Sequence, residues 1–100
     1  MIARRWHGRV PTDKAAEYLE LMENVGLPDY RSTCGNRGAW CLHRLEGEVV
    51  HVEMFTLWHD EAAIRRFAGT DMARAKYYDF DPGFLLEMEP EVTHFDVIEG

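Results

Sequence analysis

Residues 48–58, EVVHVEMFTLW, decide the fold. Side chains along an extended strand point alternately to opposite faces. Val49, His51, Glu53, Phe55 and Leu57 therefore share one face, and Val50, Val52, Met54, Thr56 and Trp58 share the other. Both faces are partly apolar. An antiparallel sheet commonly leaves one side to water, so apolar residues on both sides call for a covering layer on each. The sequence predicts helices over one side and a second copy of the chain over the other.

The neighbouring segments supply those helices. RGAWCLHRL (37–45) precedes Glu46-Gly47, a turn signal that makes 37–58 a hairpin. Residues 2–10 form a strand stopped by Pro11. TDKAAEYLELMENVG (12–26) reads as a helix with Thr12 as its cap, Asp13 in its first turn, and Gly26 with Pro28 at its end. Ala15, Tyr18, Leu19, Met22 and Val25 make its apolar stripe. Residues 27–36 read as a loop. Asp60 and Glu61 open another helix, striped with Ala63, Ile64, Phe67 and Ala68 and closed by Gly69. A short helix over MARAKYY (72–78), capped by Thr70 or Asp71, is broken by DFDPG (79–83). Asp81 and Pro82 start one more helical turn carrying Phe84, Leu85 and Leu86, and EVTHFDVI (91–98) reads as the last strand. The order β-α-β-β-α-β predicts an α+β, ferredoxin-like subunit: a single domain over 1–100 with helices on one face of a four-stranded antiparallel sheet.

Composition narrows the partners. A formal net charge of −7 opposes nucleic acid, whose phosphates need clustered lysine and arginine. Arg4, Arg5 and Arg9 are the one basic cluster, read as solvated strand ends or ion-pair partners ahead of an anion site. No stretch approaches the ~20 apolar residues of a membrane span, and none resembles a leader peptide. Cys34 and Cys41 read as free thiols, and the chain as cytoplasmic. The pairs His51/Glu53 and His94/Asp96 each put two possible metal ligands on one strand face, but the first strand lies between them, at a separation of ~9–10 Å. No metal site is expected, and no glycine-rich phosphate loop argues for a bound redox cofactor.

MIARRWHGRV (1–10), GLPDYRSTCGNRGAWCLHR (26–44), TLWHDEAAIRRFAG (56–69) and FLLEMEPEVTHFDVI (84–98) together resemble the antibiotic biosynthesis monooxygenase (ABM) family. The likeness covers nearly the whole chain in order. It implies a dimeric α/β barrel, in which a ferredoxin-like subunit pairs its sheet with that of its twin and holds a pocket between sheet and helices. Some members of the family oxygenate polyketide aromatics without a cofactor, and another branch degrades haem. The haem-degrading members use an asparagine, a tryptophan and a histidine where this chain has His7, Phe67 and Tyr77, so haem degradation is disfavoured.

The resemblance implies a homodimer binding a small apolar or aromatic molecule, with cofactor-independent monooxygenase activity on a phenolic or polyketide-like substrate. Such chemistry needs a base and groups that hold the substrate anion. His7 is the candidate base, and Arg5, on the same strand face, the candidate anion holder. Trp58, Phe67, Tyr77, Tyr78 and Phe84 are candidate pocket walls, with hydrophobic core as their plainer role. Two other functions fit the same residues: a binding or structural dimer without chemistry, and a proton-transfer enzyme such as an isomerase or cyclase.

Overall fold

The computed structural model describes residues Met1–Gly100. Strands β1 (Ile2–Pro11), β2 (Asn36–Glu46), β3 (Val49–Trp58) and β4 (Thr93–Asp96) form one antiparallel sheet in the order β2-β3-β1-β4. Helices α1 (Thr12–Leu21), α2 (Leu27–Ser32) and α3 (Glu61–Ala68) accompany it. Val50, Val52, Met54, Thr56 and Trp58 are all buried, while the alternate residues of β3 are only partly covered. The helices thus lie on the face that Trp58 shares, and the other face is open.

The β2–β3 hairpin closes at Gly47, whose φ of 61° suits glycine. Asp60 caps α3 by accepting the Ala63 N–H at 2.9 Å. At α1 the Thr12 side chain makes no cap; instead its backbone N–H donates to the Glu48 carbonyl at 3.1 Å.

Three expectations about local structure are corrected. The first helix does not end at Gly26. It widens into one π-helical turn over Met22–Gly26, in which the Leu27 N–H reaches the Met22 carbonyl, and continues as α2. Pro28 is tolerated because it sits in the first turn of α2, where a missing N–H costs little. Residues 72–78 are not helical. The Asp71 side chain accepts the Ala73 N–H, and the backbone then pairs with the end of the chain through Ala75 N–H to Pro90 O and Val92 N–H to Ala73 O. The last strand is shorter than 91–98. It covers only Thr93–Asp96, where β1 lies alongside. Asp81 and Pro82 do start a 3₁₀ turn, but it covers only Asp81–Gly83 and ends before Phe84, Leu85 and Leu86.

Trp58 is fully buried. Its indole N–H donates to Thr56 Oγ1 at 2.8 Å, and its ring centroid lies 5.8 Å from that of Phe67 and 6.4 Å from that of Tyr30. It holds α3 and α2 to the sheet and is core, not pocket wall.

Gly8 lies where β1 passes beneath Leu85. A Cβ there would meet the Trp6 ring at 2.7 Å and Leu85 Cδ2 at 2.8 Å. Gly8→Ala is therefore expected to destabilise the fold by about 1–3 kcal/mol through overpacking, read as a lower denaturant midpoint at unchanged slope.

Candidate functional site

Between the helices and the sheet lies a small hollow of about 10 Å³, room for about one water. Met22 and Gly26 of the wide helical turn form one wall, Trp6 and Met54 of the sheet the floor, and Tyr18, Tyr30, Lys76, Tyr78 and Asp81 the rest. Backbone order explains this convergence. Met22 and Gly26 of the π turn and Lys76 and Tyr78 of the irregular segment 69–80 meet around the hollow.

The polar groups here are tightly engaged. Asp81, almost fully buried, accepts from the Tyr18 hydroxyl at 2.8 Å and from the Tyr78 N–H at 2.6 Å. Burial raises its pKa, and these two donors only partly counter that. Tyr78 donates its hydroxyl to Asp29 at 2.6 Å, and Lys76 donates to the same oxygen at 2.7 Å. Burial alone would raise the Asp29 carboxyl. The Lys76 and Tyr78 hydrogen bonds outweigh it and hold the group below its ordinary range.

Arg4 does not line this hollow but neighbours Tyr30 and Tyr78, which do. It is 1% exposed and has no carboxylate partner. One guanidinium N–H donates to the Arg74 carbonyl at 3.1 Å, the Phe67 ring lies 5.4 Å away, and Nε has no partner. Burial lowers its pKa, an effect that neighbouring Tyr30 and Tyr78 partly offset. Two more buried nitrogens without partners stand beside it on the same face: Trp6 Nε1 two residues along β1, and Nε2 of His94 directly across on β4. Burial followed by the Arg4 charge lowers the His94 pKa. Buried charges in proteins are normally paired, so a lone buried guanidinium is uncommon.

The structure divides the residues singled out from the sequence between two faces. His7 and Arg5 lie on the open face: Arg5 is exposed with its guanidinium 5.7 Å from the Phe95 ring, and His7 is bonded to Glu89 and His51. Trp58, Phe67, Tyr77, Tyr78 and Phe84 lie on the helix side. The sheet separates the two groups, so His7 cannot serve a pocket walled by those aromatics. Of the aromatic set only Tyr78 lines the hollow. Phe67 stacks on Tyr30 at 4.2 Å, Phe84 packs on Tyr18 at 5.4 Å, and Tyr77 meets the edge of Trp6 while its hydroxyl donates to the Glu89 carbonyl. The three haem-branch positions, His7, Phe67 and Tyr77, likewise fall on two faces. So do His51/Glu53 and His94/Asp96.

The sequence reading missed Arg4 and Asp81. Strict alternation puts Arg4 in register with buried Trp6, which was signal enough. Asp81 had none, because its burial depends on Tyr18, 63 residues away.

No family model matches the chain, and no curated protein does. Among solved structures it is similar to the crystal structure of an uncharacterized NIPSNAP domain protein from Burkholderia xenovorans, at 18% identity and a TM-score of 0.59. The match covers 98% of this chain and 95% of that one. The shared fold is ferredoxin-like, an α+β subunit with one four-stranded antiparallel sheet. No helix is long and apolar enough to cross a membrane.

Burial pushes the Tyr30 hydroxyl up to about 12, against a smaller opposing pull from Arg4, and burial also raises Tyr77 to about 12. The folded chain holds these protons more tightly than the unfolded chain, where tyrosine ionises near pH ~10. Stability should therefore fall as pH rises from ~10 towards 12. Phenolate absorbance should appear together with loss of the near-ultraviolet circular dichroism of the core, not ahead of it.

Proposed function

We propose that this chain is the subunit of a homodimer that binds a small acidic aromatic molecule between helices and sheet. The observation that carries the reading is the buried Arg4 guanidinium, without a carboxylate partner, next to Tyr30 and Tyr78, two of the rings that line the hollow. An incoming phenolate or carboxylate supplies the missing charge and accepts from Nε. Ring walls formed by Tyr30 and Tyr78 suit a planar guest. Segment 69–80, lacking regular structure, is the part that moves aside to admit it, and Met22 and Met54 adapt their shape.

The reaction we infer is cofactor-independent oxygenation, in keeping with the resemblance to the ABM family. Asp81 takes the phenolic proton, a role suited to a buried carboxyl whose pKa lies above its ordinary value. Arg4 holds the resulting oxyanion. The carbanion form of the phenolate reacts with dioxygen to give a hydroperoxide, which loses water to leave a quinone. One phenol and one dioxygen thus yield one quinone and one water, with dioxygen as the oxidant. His7 and Arg5 take no part, because they stand behind the sheet.

A second reading is a binding or structural dimer without chemistry, and a hollow with room for only about one water favours its structural form. Oxygen uptake with a panel of phenols and hydroquinones separates the two. Binding is tested with 4-hydroxybenzoate, using benzyl alcohol as the uncharged control. Arg4→Met is expected to fold with unchanged or raised Tm, since an apolar residue of similar volume replaces a buried charge. It should lose at least about tenfold in affinity for the acid, the order of one charge-assisted hydrogen bond, and bind the alcohol as the natural chain does. Equal affinity for the acid in both proteins would remove Arg4 from the site.

A further inference from the structure

The open face of the sheet carries a chain of four ionisable groups that the reading above leaves unused. Glu89 Oε2 lies 2.6 Å from His7 Nδ1, His7 Nε2 lies 2.9 Å from His51 Nδ1, and His51 Nε2 lies 3.1 Å from Glu46 Oε1. Each of these three hydrogen bonds needs a proton between its two atoms. Two neutral imidazoles supply one N–H each, and ionised carboxylates supply none. The chain is complete only when the histidine pair holds one extra proton and is a monocation. Without that proton two lone pairs face each other at one of the three contacts, and that contact opens.

The charges around the pair give the extra proton a consequence. Facing it are Arg5 and Arg9 of β1, Arg44 and Glu46 of β2, Glu53 of β3, and Glu87 and Glu89 from the segment before β4. Arg9 grips Glu87 at 2.6 and 2.8 Å, and Arg44 reaches Glu46 at 3.1 Å. Glu53 sits directly across from His7 without an ion-pair partner. Three guanidiniums oppose four carboxylates, so the face is neutral with the proton and carries net negative charge without it. The chain as a whole carries −7. Two copies repel each other in general, yet on this face they meet with no net charge.

The same face leaves apolar area uncovered: Trp40 is 48% exposed, Leu42 50% and Phe95 44%. Trp40 packs on Phe55 at 6.1 Å and Phe95 lies beside Arg5, so the apolar and charged groups are interleaved on one surface.

We propose that a second copy of the chain docks on this face and that the His7–His51 pair takes up a proton as it does so. The inference rests on the homodimer reading above and adds its regulation. Docking removes the water that would solvate a net negative surface, and burying net charge is costly. The dimer therefore binds the proton more tightly than the monomer, and by linkage association strengthens as pH falls through the imidazole range. Glu89 couples the change to the chain's final segment, which this hydrogen bond and the Arg9–Glu87 pair fasten to β1.

The test is the dimer dissociation constant from sedimentation equilibrium across pH ~5.5 to ~8.5, the window of imidazole titration. Expected is a weakening of at least about tenfold as pH rises across it, since one proton bound per subunit suffices for that. His51→Gln should remove most of the slope. Calorimetric dilution of the unaltered protein in two buffers of different ionisation enthalpy should show protons released on dissociation, which keeps the test independent of how the variant folds. A dimer whose constant is flat with pH, or that releases no protons, overturns the proton linkage and leaves the homodimer standing. A monomer at every pH and concentration overturns both.

Discussion

The antiparallel pairing of β1 with β3, from Ile2 opposite Trp58 to Pro11 opposite Val49, is the constraint on which the other features depend. A one-residue slip would exchange the faces of every side chain on the strand. In this register the adjacent residues Arg4 and Arg5 are sent to opposite sides of a central strand. One guanidinium is sealed beneath the helices, and the other stands on the open surface. His7 and Trp6 are parted in the same way. The sheet therefore carries two unrelated environments a single peptide thickness apart, one apolar around a lone buried guanidinium, the other an array of alternating charges.

The helix side shows what a lone buried cation requires. Tyr30 and Phe67 stack at 4.2 Å, Trp58 packs behind them, and both Arg4 and Lys76 lie over the Phe67 ring. Cation–π attraction of this kind is worth up to ~2 kcal/mol in dry surroundings and does not match a full charge pair. Lys76 has Asp29 to complete its neutralisation, whereas Arg4 has the Arg74 carbonyl and the neutral Tyr30 hydroxyl beside it but no carboxylate. That contrast between two cations on one ring singles out Arg4.

Much of the architecture was legible in the sequence because it follows from local rules. Alternation in 49–58 gave both faces of β3 correctly, Glu46-Gly47 marked the hairpin, and Asp60 marked the start of α3. The errors arose where distant contacts override local preference. Pro28 signals an ending, but a widened turn ahead of it lets the helix pass. Residues 72–78 have the composition of a helix, yet residues 90–92 claim their backbone hydrogen bonds. For the proposed site, residue type pointed to His7 and Arg5, whereas Arg4 and Asp81 stand out only by their burial. Burial of a charged side chain is a property of the assembled fold, and the strand alternation that foretold it for Arg4 was outweighed by the general habit of arginine to stay in water.

The π turn at Met22–Gly26 also acts as a phase shifter. A uniform α-helix advances about 100° per residue, so twelve residues on from Tyr18 the side chain of Tyr30 would stand ~120° around the axis. Taking up one residue in the wide turn cuts that offset to ~20°. One helical rod can then present two tyrosines to the same side, Tyr18 to Asp81 and Tyr30 to the ring of Phe67. The length of the rod and the direction of its two aromatic teeth are thereby set independently, by a single residue that a regular helix has no place for.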